Sequence, residues 1–331
     1  MNWQNQIILL TGGTGSFGQA FTKLILSKSP KSLRVFDCDE YSQFEVSNNL
    51  KKKNVSYLLG RVEDKDRLYR AMQGVDMVVH AAALKQVPIL EYNPFEAVKT
   101  NILGSQNVID CAIDLGVKKT VLISSDKAVS PTNLYGATKM VAEKIFVQAN
   151  SYAGDKNIRF SVVRYGNVMA SRGSVVPTFL EQKKNDILTI TDERMTRFWI
   201  TLDEGVKFVL SCIEKMRGGE IFVPKIPSIK IIELARAVAP KAKIKIVGIR
   251  AGEKLHELLV SEDEARHAKD FNNYFVIEPE FISWGKASNN NDVSGKELEE
   301  GFRYSSDNNN DWLSPSDIKK LLSQQVKEDN K

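Results

Sequence analysis

The sequence is poor in residues that form crosslinks or bind metals. Its 331 residues include only three cysteines and three histidines. Cys38, Cys111 and Cys212 are far apart and odd in number, so they predict neither a disulfide framework nor a zinc site. His256 and His267 have no spacing that suggests metal binding. We therefore expect no bound metal, and the free thiols fit a reducing cytoplasm.

Long apolar runs and dense blocks of one charge are also missing. The first residues lack the basic segment that opens a signal peptide, and the apolar run at 7–10 is too short to span a membrane. Lys and Arg outnumber Asp and Glu by 46 to 41, with the excess spread along the chain. We therefore expect a cytoplasmic protein with no membrane insertion and no nucleic-acid partner.

The first half of the chain alternates short apolar runs with amphipathic stretches. The predicted strands are 7–10, 33–36, 55–59, 77–83, 120–123 and 160–163. The predicted helices between them are 20–26, 66–72, 97–115 and 135–152. Apolar strands separated by helices are typical of a parallel sheet covered on both faces. The predicted fold class is therefore α/β, with a doubly wound Rossmann sheet.

The pattern changes after Asn167. Helices are predicted at 176–183, 203–216, 229–239 and 316–325, with short strands at 221–223 and 244–247. We expect a dinucleotide-binding domain at 1–167, a smaller α/β substrate-binding region at 168–285, and a polar tail at 286–331 that packs on the fold.

A glycine-rich turn follows the first predicted strand. The segment Gly12-Gly13-Thr14-Gly15-Ser16-Phe17-Gly18 has the pattern G-x-x-G-x-x-G and leads into a predicted helix. Glycines allow a tight turn and close approach of the backbone to a pyrophosphate, which the helix N-terminus attracts. Asp37 ends the second strand about 20 residues later, where an acid binds a ribose. The segment therefore predicts a dinucleotide site.

Small residues at the end of the fourth predicted strand support this site. Ala81, Ala82 and Ala83 follow His80, and small side chains at that edge leave room for a cofactor. We interpret His80 itself as structural.

Two short segments carry candidate catalytic groups. Ser125, Asp126 and Lys127 follow the fifth predicted strand, and Tyr135 and Lys139 open the next helix on one face. Tyrosine titrates near 10, and a neighbouring ammonium lowers that pKa. Tyr135 could then accept a proton from a sugar hydroxyl while hydride leaves the same carbon.

Together these motifs resemble the extended short-chain dehydrogenase/reductase family. Within it they are most similar to the UDP-N-acetylglucosamine 4,6-dehydratases, and among those to the inverting enzymes of pseudaminic acid biosynthesis. The resembling segments are 11–18, 80–88, 99–102, 125–128, 133–139, 164–168, 171–175, 190–199, 248–254 and 304–308. The resemblance implies a UDP-N-acetylglucosamine substrate, a tightly bound NAD or NADP that is regenerated in each turnover, and a homo-oligomer.

The resemblance also implies roles for the candidate residues. Lys127 would remove the C5 proton after oxidation at C4, and Asp126 would protonate the departing C6 hydroxyl, with Ser125, Tyr135 and Lys139 completing the catalytic set. The implied cofactor-binding residues are Gly12, Gly13, Thr14, Gly15, Ser16, Phe17, Gly18, Asp37, Cys38, Asp39, Ser42, Arg61, Val62, Ala81, Ala82, Lys85, Asn101, Tyr135 and Lys139. The implied substrate-binding residues are Lys85, Asn167, Ser174, Val175, Thr189, Arg197, Arg250 and Glu253.

The sequence departs from the family at the cofactor site. The family commonly has Ser-Arg where this chain has Asp37-Cys38, and Asp where it has Arg61. A carboxylate at position 37 accepts hydrogen bonds from ribose hydroxyls but repels a 2′-phosphate. NAD is therefore predicted in place of the family's usual NADP, unless Arg61, Arg34 or the lysines at 51–53 compensate.

Three alternatives stay open at this point: a retaining 4,6-dehydratase, a UDP-N-acetylhexosamine 4-epimerase, and a non-catalytic dinucleotide-sensing protein. An epimerase needs the tyrosine but no acid/base pair for C5 and C6. Retaining hexose dehydratases typically have Asp-Glu where this chain has Asp126-Lys127, so the lysine favours inversion.

Overall fold

The fold is known from a computed structural model, which describes residues 1–154, 156–169, 175–281 and 295–329, with side chains of the last helix to Ser323. Within these ranges no helix combines the length and the apolar composition that crossing a membrane would need.

The strands occur along the whole chain and are short in its second half. They are β1 (Ile7–Thr11), β2 (Ser32–Asp37), β3 (Val55–Leu59), β4 (Met77–His80), β5 (Lys119–Ser125), β6 (Arg159–Tyr165), β7 (Asn167–Val168), β8 (Ile187–Ile190), β9 (Thr196–Ile200), β10 (Ile221–Pro224), β11 (Ser228–Lys230), β12 (Lys243–Ile246), β13 (Leu258–Val260), β14 (Ala268–Asp270), β15 (Tyr274–Ile277), β16 (Lys296–Glu297) and β17 (Tyr304–Ser305).

The helices alternate with the strands. They are α1 (Ser16–Ser27), α2 (Glu40–Leu50), α3 (Lys65–Met72), α4 (Val87–Tyr92), α5 (Pro94–Ala97), α6 (Gly104–Leu115), α7 (Leu134–Tyr152), α8 (Val175–Gln182), α9 (Leu202–Lys215), α10 (Ile231–Val238), α11 (Glu262–Ala265) and α12 (Pro315–Asp329). In the described part of the chain, a short 3-10 turn at Asp126–Ala128 directly follows β5.

A ten-stranded sheet organises the described fold, in the order β16-β14-β15-β10-β6-β5-β4-β1-β2-β3. The strands from β3 to β10 in this order pair in parallel, and β15, β14 and β16 add antiparallel pairs at one edge. The order 3-2-1-4-5-6 is that of a doubly wound dinucleotide fold. The predicted fold class is confirmed. The strand order reverses between β1 and β4, which is where ligands bind in such sheets.

Apolar burial explains why these strands occupy the centre. Every residue of β4 is buried, as are four of the five residues of β1. Such strands have no polar face to offer to water, so helices must cover both sides of the sheet. The main hydrophobic core accordingly joins strand residues such as Leu10 and Val79 to helix residues such as Phe21, Val108 and Phe146.

Three predicted elements need correction. The strand predicted at 77–83 ends at His80, because the next residues leave the sheet and the Ala82 N–H donates to Thr11 Oγ1 at 3.2 Å. The helix predicted at 97–115 is interrupted by a π-helical segment, Val98–Leu103. The helix predicted at 229–239 starts as β11, whose residues pair with β9, and α10 begins only at Ile231.

A second hydrophobic core lies in the C-terminal half. It joins α8, α10 and the start of α12 to β8 and β9 through buried residues that include Phe179, Leu188, Trp199, Leu234 and Ile318. The chain beyond residue 167 also returns to the main sheet through β10 and β14 to β16. The division into domains at residue 167 stays a prediction.

A buried ion-pair cluster fastens α7 to the sheet. Arg164 of β6 makes two hydrogen bonds to Glu143 of α7, at 3.0 and 2.6 Å, and two to Glu264 of α11, at 3.0 and 2.7 Å. Arg164 and Glu143 are only 1% and 2% exposed. Charges buried this deeply are tolerated only when they are paired, so each partner depends on the others.

We expect Glu143→Gln to lower the free energy of unfolding by about 3 kcal/mol, because it leaves a buried guanidinium with one carboxylate. Urea denaturation followed by tryptophan fluorescence would measure the change. The matched control is Glu96→Gln, which breaks the exposed pair with Lys99 (2.8 Å) and should cost less than about 1 kcal/mol. Equal losses in the two variants would contradict this role for the cluster.

Candidate active site

A cleft of about 640 Å³ opens at the carboxyl ends of the central strands. Its walls come from the glycine turn after β1, the ends of β2, β4 and β5, the start of α7, and the segment after β6. The described residues that line it are Gly12, Thr14, Gly15, Ser16, Phe17, Gly18, Phe36, Asp37, Cys38, Asp39, Gly60, Arg61, Val62, Glu63, Ala81, Ala82, Ala83, Leu84, Lys85, Gln86, Val87, Pro88, Thr100, Ile123, Ser124, Ser125, Asp126, Lys127, Tyr135, Lys139, Tyr165, Gly166, Asn167, Val168 and Leu202.

The glycine turn is built by close backbone contacts. Gly12 has φ +67°, and a Cβ there would lie 2.7 Å from the backbone nitrogen of Ala82. A Cβ on Gly18 would lie 2.5 Å from the backbone of Gly13. Gly15 is less crowded, because a Cβ there would lie 3.4 Å from its nearest neighbour, the carbonyl oxygen of Gly12. Gly15 is also the N-cap of α1, and no side chain caps that end of the helix. The positive end of α1 therefore faces the cleft, as an anion site requires.

Asp37 connects the end of β2 to this turn. Its Oδ2 accepts hydrogen bonds from the Thr14 N–H at 3.0 Å and the Thr14 hydroxyl at 2.7 Å, and its Oδ1 accepts one from the Asp39 N–H at 3.2 Å. Asp39 in turn caps α2 by accepting from both the N–H and the hydroxyl of Ser42. The sequence placed Asp37 at the cleft, but its contact with Thr14 was not foreseen.

Basic residues near Asp37 are few. Arg61 lines the cleft with its side chain 63% exposed, 3.8 Å from Glu63. Arg34 donates instead to the carbonyls of Ala71 and Gln73, both at 2.7 Å. The lysines at 51–53 follow the far end of α2, about 16 Å along the helix from its start. Arg61 is thus the one of these three candidates that lies in the cleft wall.

Other predicted cofactor residues fall into two groups. Ala81, Ala82, Val62 and Lys85 line the cleft. Asn101 is buried behind it, where its side-chain amide accepts from the Leu84 N–H at 2.8 Å and donates to the Leu84 carbonyl and to Thr138, both at 2.9 Å. The geometry of Asn101 therefore supports the wall of the cleft through the segment after β4.

Ser125, Asp126 and Lys127 form a compact hydrogen-bonded group where β5 ends. Asp126 Oδ1 accepts from the Ser125 hydroxyl at 2.8 Å and from Lys127 Nζ at 3.0 Å. Asp126 is only 1% exposed, and its Oδ2 has no hydrogen-bond partner among the described residues. The 3-10 turn at Asp126–Ala128 bends the chain so that both charged side chains border the cleft.

Tyr135 and Lys139 lie on α7, which Asn133 caps by accepting from the Gly136 N–H at 2.8 Å. Lys139 Nζ donates to the Ile123 carbonyl at 2.7 Å, and burial lowers the pKa of Lys139 to about 8. Burial raises the pKa of Tyr135 above its ordinary value, while a hydrogen bond with Ser125 and the charge of Lys127 oppose that rise. The expected lowering of this pKa is therefore wrong, because desolvation outweighs the charge of the nearby Lys127.

Glu257 is a charged residue of this cluster that the sequence did not reveal. It lies just before β13, is 1% exposed, and its Oε1 is 2.9 Å from Lys127 Nζ. Arg197 Nε lies 3.5 Å from the same oxygen, and Lys254 Nζ lies 4.0 Å from Oε2. No local spacing could have connected Lys127 to a residue so far along the chain, because only the fold brings β13 against the end of β5.

The predicted substrate residues are spread more widely. Asn167 lines the cleft, and its Oδ1 is buried without a hydrogen-bond partner in the described part of the chain. Arg197 donates to the backbone carbonyls of Thr196, Leu255 and Lys254, at 2.6 to 3.1 Å. Arg250 is exposed beside Glu253, 4.0 Å apart.

Thr189 exchanges hydrogen bonds with Gln182, and Val175 packs on the second core. The predicted residue Ser174 lies outside the described residues.

Comparisons with known proteins agree with this architecture. A family model described as "Polysaccharide biosynthesis protein" matches residues 8–279. The chain is 52% identical over 322 residues to the UDP-N-acetylglucosamine 4,6-dehydratase (inverting) of Campylobacter jejuni subsp. jejuni serotype O:23/36, which covers 95% of this chain and 96% of that protein. It is 44% identical over 283 residues to the UDP-glucose 4-epimerase of Rickettsia bellii, covering 82% and 83%.

Solved structures give the same result. The X-ray structure of Pen from Bacillus thuringiensis matches with TM-score 0.90 and 38% identity, covering 98% of this chain and 99% of that one. The dTDP-glucose 4,6-dehydratase DesIV of Streptomyces venezuelae matches in fold with TM-score 0.68, 21% identity, and coverage of 75% and 86%. With the glycine turn, the parallel sheet and these relatives taken together, the chain belongs to the polysaccharide biosynthesis protein family of extended short-chain dehydrogenases/reductases.

Proposed function

We propose that this protein is an inverting UDP-N-acetylglucosamine 4,6-dehydratase, which gives UDP-2-acetamido-2,6-dideoxy-β-L-arabino-hex-4-ulose. The observation that carries the proposal is the Asp126–Lys127 pair, which borders the cleft beside Tyr135. An adjacent acid and base are what an elimination across C5 and C6 needs. The near-full-length similarity to the Campylobacter jejuni enzyme supports the same reaction. Use of the product for pseudaminic acid, and a homo-oligomeric assembly, remain parts of the proposal.

The cleft has the features of an NAD(P) site. The start of α1 has no side-chain cap and suits a pyrophosphate. Gly12 has no side chain where it approaches the backbone of Ala82, and Asp37 lines the same cleft at the end of β2. Gly12, Gly15 and Asp37 would hold the dinucleotide. A bound nicotinamide supplies the redox chemistry, accepting hydride from C4 of the sugar and returning it to C6.

Tyr135 would take the C4 hydroxyl proton as the hydride leaves. Burial raises the pKa of Tyr135, and the nearby Lys127 charge opposes that rise by favouring the phenolate. Lys139 supports Tyr135 from the same helix face, one turn further along α7. Because burial lowers the pKa of Lys139 to about 8, its cation is present at neutral pH and is lost at higher pH.

The Asp126–Lys127 pair can carry out the elimination with one shared proton. A proton passes from Lys127 Nζ to Asp126 Oδ1 across their 3.0 Å hydrogen bond, which leaves a neutral amine and a neutral acid. Lys127 then takes the C5 proton, the C5–H electrons form the C5–C6 double bond, and the C6–O bond breaks. Asp126 gives its proton to the departing hydroxide, and water leaves. The pair ends as ammonium and carboxylate, the charge state in which it began. With hydride returned to C6, a proton from solvent would add to C5 on the opposite face and invert that centre, and Tyr135 would release its proton to solvent, so that the overall reaction loses only water.

Substrate contacts are proposed on the same basis. Lys85 and Asn167 line the cleft and would face the sugar. Arg197 and Arg250 are proposed for the diphosphate because a guanidinium matches phosphate geometry, although Arg197 donates to three backbone carbonyls in this structure. Val175, Thr189 and Glu253 complete the proposed substrate set.

A 4-epimerase is the second candidate, favoured by the similarity to the Rickettsia bellii protein. The test is incubation of the protein with UDP-N-acetylglucosamine, with the product identified by NMR. A 4-keto-6-deoxy product of inverted C5 configuration supports the proposal, and retained configuration indicates a retaining dehydratase. A galacto product indicates an epimerase, and no turnover would favour a dinucleotide-sensing protein.

A substrate deuterated at C4 should give a product with that deuterium in its C6 methyl group. The reason is that one redox site, at Tyr135, serves both the oxidation and the return of hydride within one cleft. Mass spectrometry and proton NMR would locate the label. Loss of the label to solvent, or a need for stoichiometric cofactor, would show that the two hydride transfers are not coupled.

Lys127→Ala should block elimination because no base remains for C5, and should leave binding in place. C4 oxidation should slow far less than elimination, since the variant loses only the Lys127 charge near Tyr135 and keeps Tyr135 and Lys139. General acids and bases typically contribute ~10²–10⁴-fold, and a loss of that size is expected in product formation. Tyr135→Phe should block oxidation itself, which single-turnover absorbance of the reduced nicotinamide would measure. The matched control is Lys225→Ala, which removes a lysine paired with Asp270 at 2.7 Å outside the cleft. Near-normal turnover of the Lys127 variant would refute its role.

The cofactor proposal is NAD in preference to NADP. The Asp37 carboxylate is oriented by Thr14 and Asp39, so its charge stays at the ribose end of the cleft. A 2′-phosphate there would meet like charge. Arg61 is the basic residue best placed to offset it, but Glu63 lies 3.8 Å from the Arg61 guanidinium and competes for it.

Mass spectrometry of the dinucleotide released from freshly purified, denatured protein should therefore find mainly NAD. Asp37→Ser should shift the released pool toward NADP, since it removes the repelling carboxylate. Arg61→Ala is the control, because it removes the positive charge that could offset the Asp37 carboxylate. This variant should still release mainly NAD. If the wild-type protein released mainly NADP, and Arg61→Ala reversed this, Arg61 rather than Asp37 would determine the choice.

A further inference from the structure

Glu257 is a buried carboxylate that the reaction described above does not use. Its backbone is held on both sides, because its N–H donates to Ser306 Oγ at 2.9 Å and its carbonyl accepts from the Ser306 N–H at 2.8 Å. The side chain is 1% exposed and points at Lys127. A carboxylate that is both rigidly held and buried is costly unless its charge is matched by partners.

The shortest of its ion pairs is with Lys127. Glu257 Oε1 lies 2.9 Å from Lys127 Nζ, against 3.5 Å to Arg197 Nε, and Oε2 lies 4.0 Å from Lys254 Nζ. Arg197 already donates to three backbone carbonyls, and Lys254 donates to the Val129 carbonyl. The contact with Lys127 is therefore the main one that Glu257 makes.

We propose that Glu257 is a positioning residue that holds the Lys127 ammonium against Asp126. It thereby sets the pH range over which Lys127 acts as the base of the elimination. This inference rests on the proposed function. Nζ lies between Glu257 Oε1 at 2.9 Å and Asp126 Oδ1 at 3.0 Å, so two carboxylates fix it from two directions. Once the proton has passed to Asp126, the neutral amine still donates to Glu257 and stays at the cleft.

The charges around Lys127 make the effect testable by pH. The titratable and charged groups that face it are Asp126, Tyr135, Arg197, Lys254 and Glu257. Burial lowers the pKa of Lys127, but Asp126 and Glu257 outweigh burial and the pKa lies above its ordinary value. Without Glu257, Lys127 would keep one carboxylate partner, Asp126, and would still lie near two other cations, Arg197 and Lys254. The pKa of Lys127 should then fall.

Two substitutions of Glu257 separate the effect of its negative charge from the effect of its side-chain length. Glu257→Gln keeps the size but removes the charge, so the basic limb of the pH–rate profile for elimination should move to lower pH. Glu257→Asp keeps the charge but withdraws it by one methylene, so that limb should stay while elimination slows by about 10–100-fold. In both variants C4 oxidation, followed by single-turnover absorbance of the reduced nicotinamide, should remain close to wild type.

The control is Glu278→Gln, which breaks a Glu–Lys pair of similar length, 3.0 Å to Lys269, away from the cleft. It should leave both steps and the pH profile unchanged. Far-UV circular dichroism checks that each variant folds. If Glu257→Gln fails to fold, Glu257→Asp still decides: slow elimination with normal oxidation supports the proposal, and normal rates for both steps overturn it.

A measurement without substrate keeps this inference separate from the proposed function. Acetylation of Lys127 by acetic anhydride, measured against pH by mass spectrometry, reports the pKa of its amine. A lower pKa in Glu257→Gln supports the proposal even if the wild-type protein forms no 4-keto-6-deoxy product, an outcome that would refute only the function. An unchanged pKa and pH profile, or equal loss of oxidation and elimination, would overturn the positioning role.

Discussion

The parallel pairing of β1, β4 and β5 is the constraint on which the rest of the site depends. Thr11 of β1 lies opposite His80 of β4, and His80 lies opposite Leu122 of β5. β1 and β4 therefore end at the same level, β5 continues three residues further to Ser125, and the chain that leaves each strand turns at the same edge of the sheet. This edge collects the glycine turn, the small residues after β4, and the Asp126–Lys127 pair into one cleft.

Close backbone contacts then shape the dinucleotide half of that cleft. Gly12 approaches the backbone of Ala82 too closely for any side chain, and Asp37 holds the turn from the neighbouring strand. His80 supports it from beneath, with Nδ1 2.7 Å from Thr11 Oγ1 and Nε2 3.1 Å from Ser105 Oγ. Burial lowers the pKa of His80 to about 3, so this histidine is neutral and structural, as its sequence position suggested.

Electrostatic balance governs the other half. Lys127 has two carboxylate partners, and Arg197 and Lys254 counter the second of them, Glu257. A buried group of this kind is stable only when every charge has a partner. In the proposed mechanism, the same balance lets Lys127 exchange its proton with Asp126 with no change in net charge. Stability and reactivity therefore draw on the same contacts.

Local patterns in the sequence were enough for the main architecture and for part of the site. Apolar runs predicted the six central strands, because a strand buried on both faces must be apolar along its whole length. The glycine spacing and the four-residue separation of Tyr135 and Lys139 are likewise local, so they could be read directly from the chain. The strand predicted at 77–83 was too long because composition does not show where Ala82 turns to meet Thr11.

The tertiary structure alone decided the charge environment. The pKa of Tyr135 is raised rather than lowered, since desolvation depends on what packs around the phenol and not on the residue four positions away. Glu257 lies 130 positions after Lys127 in the chain, and no local motif around it indicates that the two residues meet. Helical and strand periodicities act over a few residues, whereas ion pairs act through space. The sequence by itself therefore determined the sheet and the reactive motifs, and the fold determined which charges surround them.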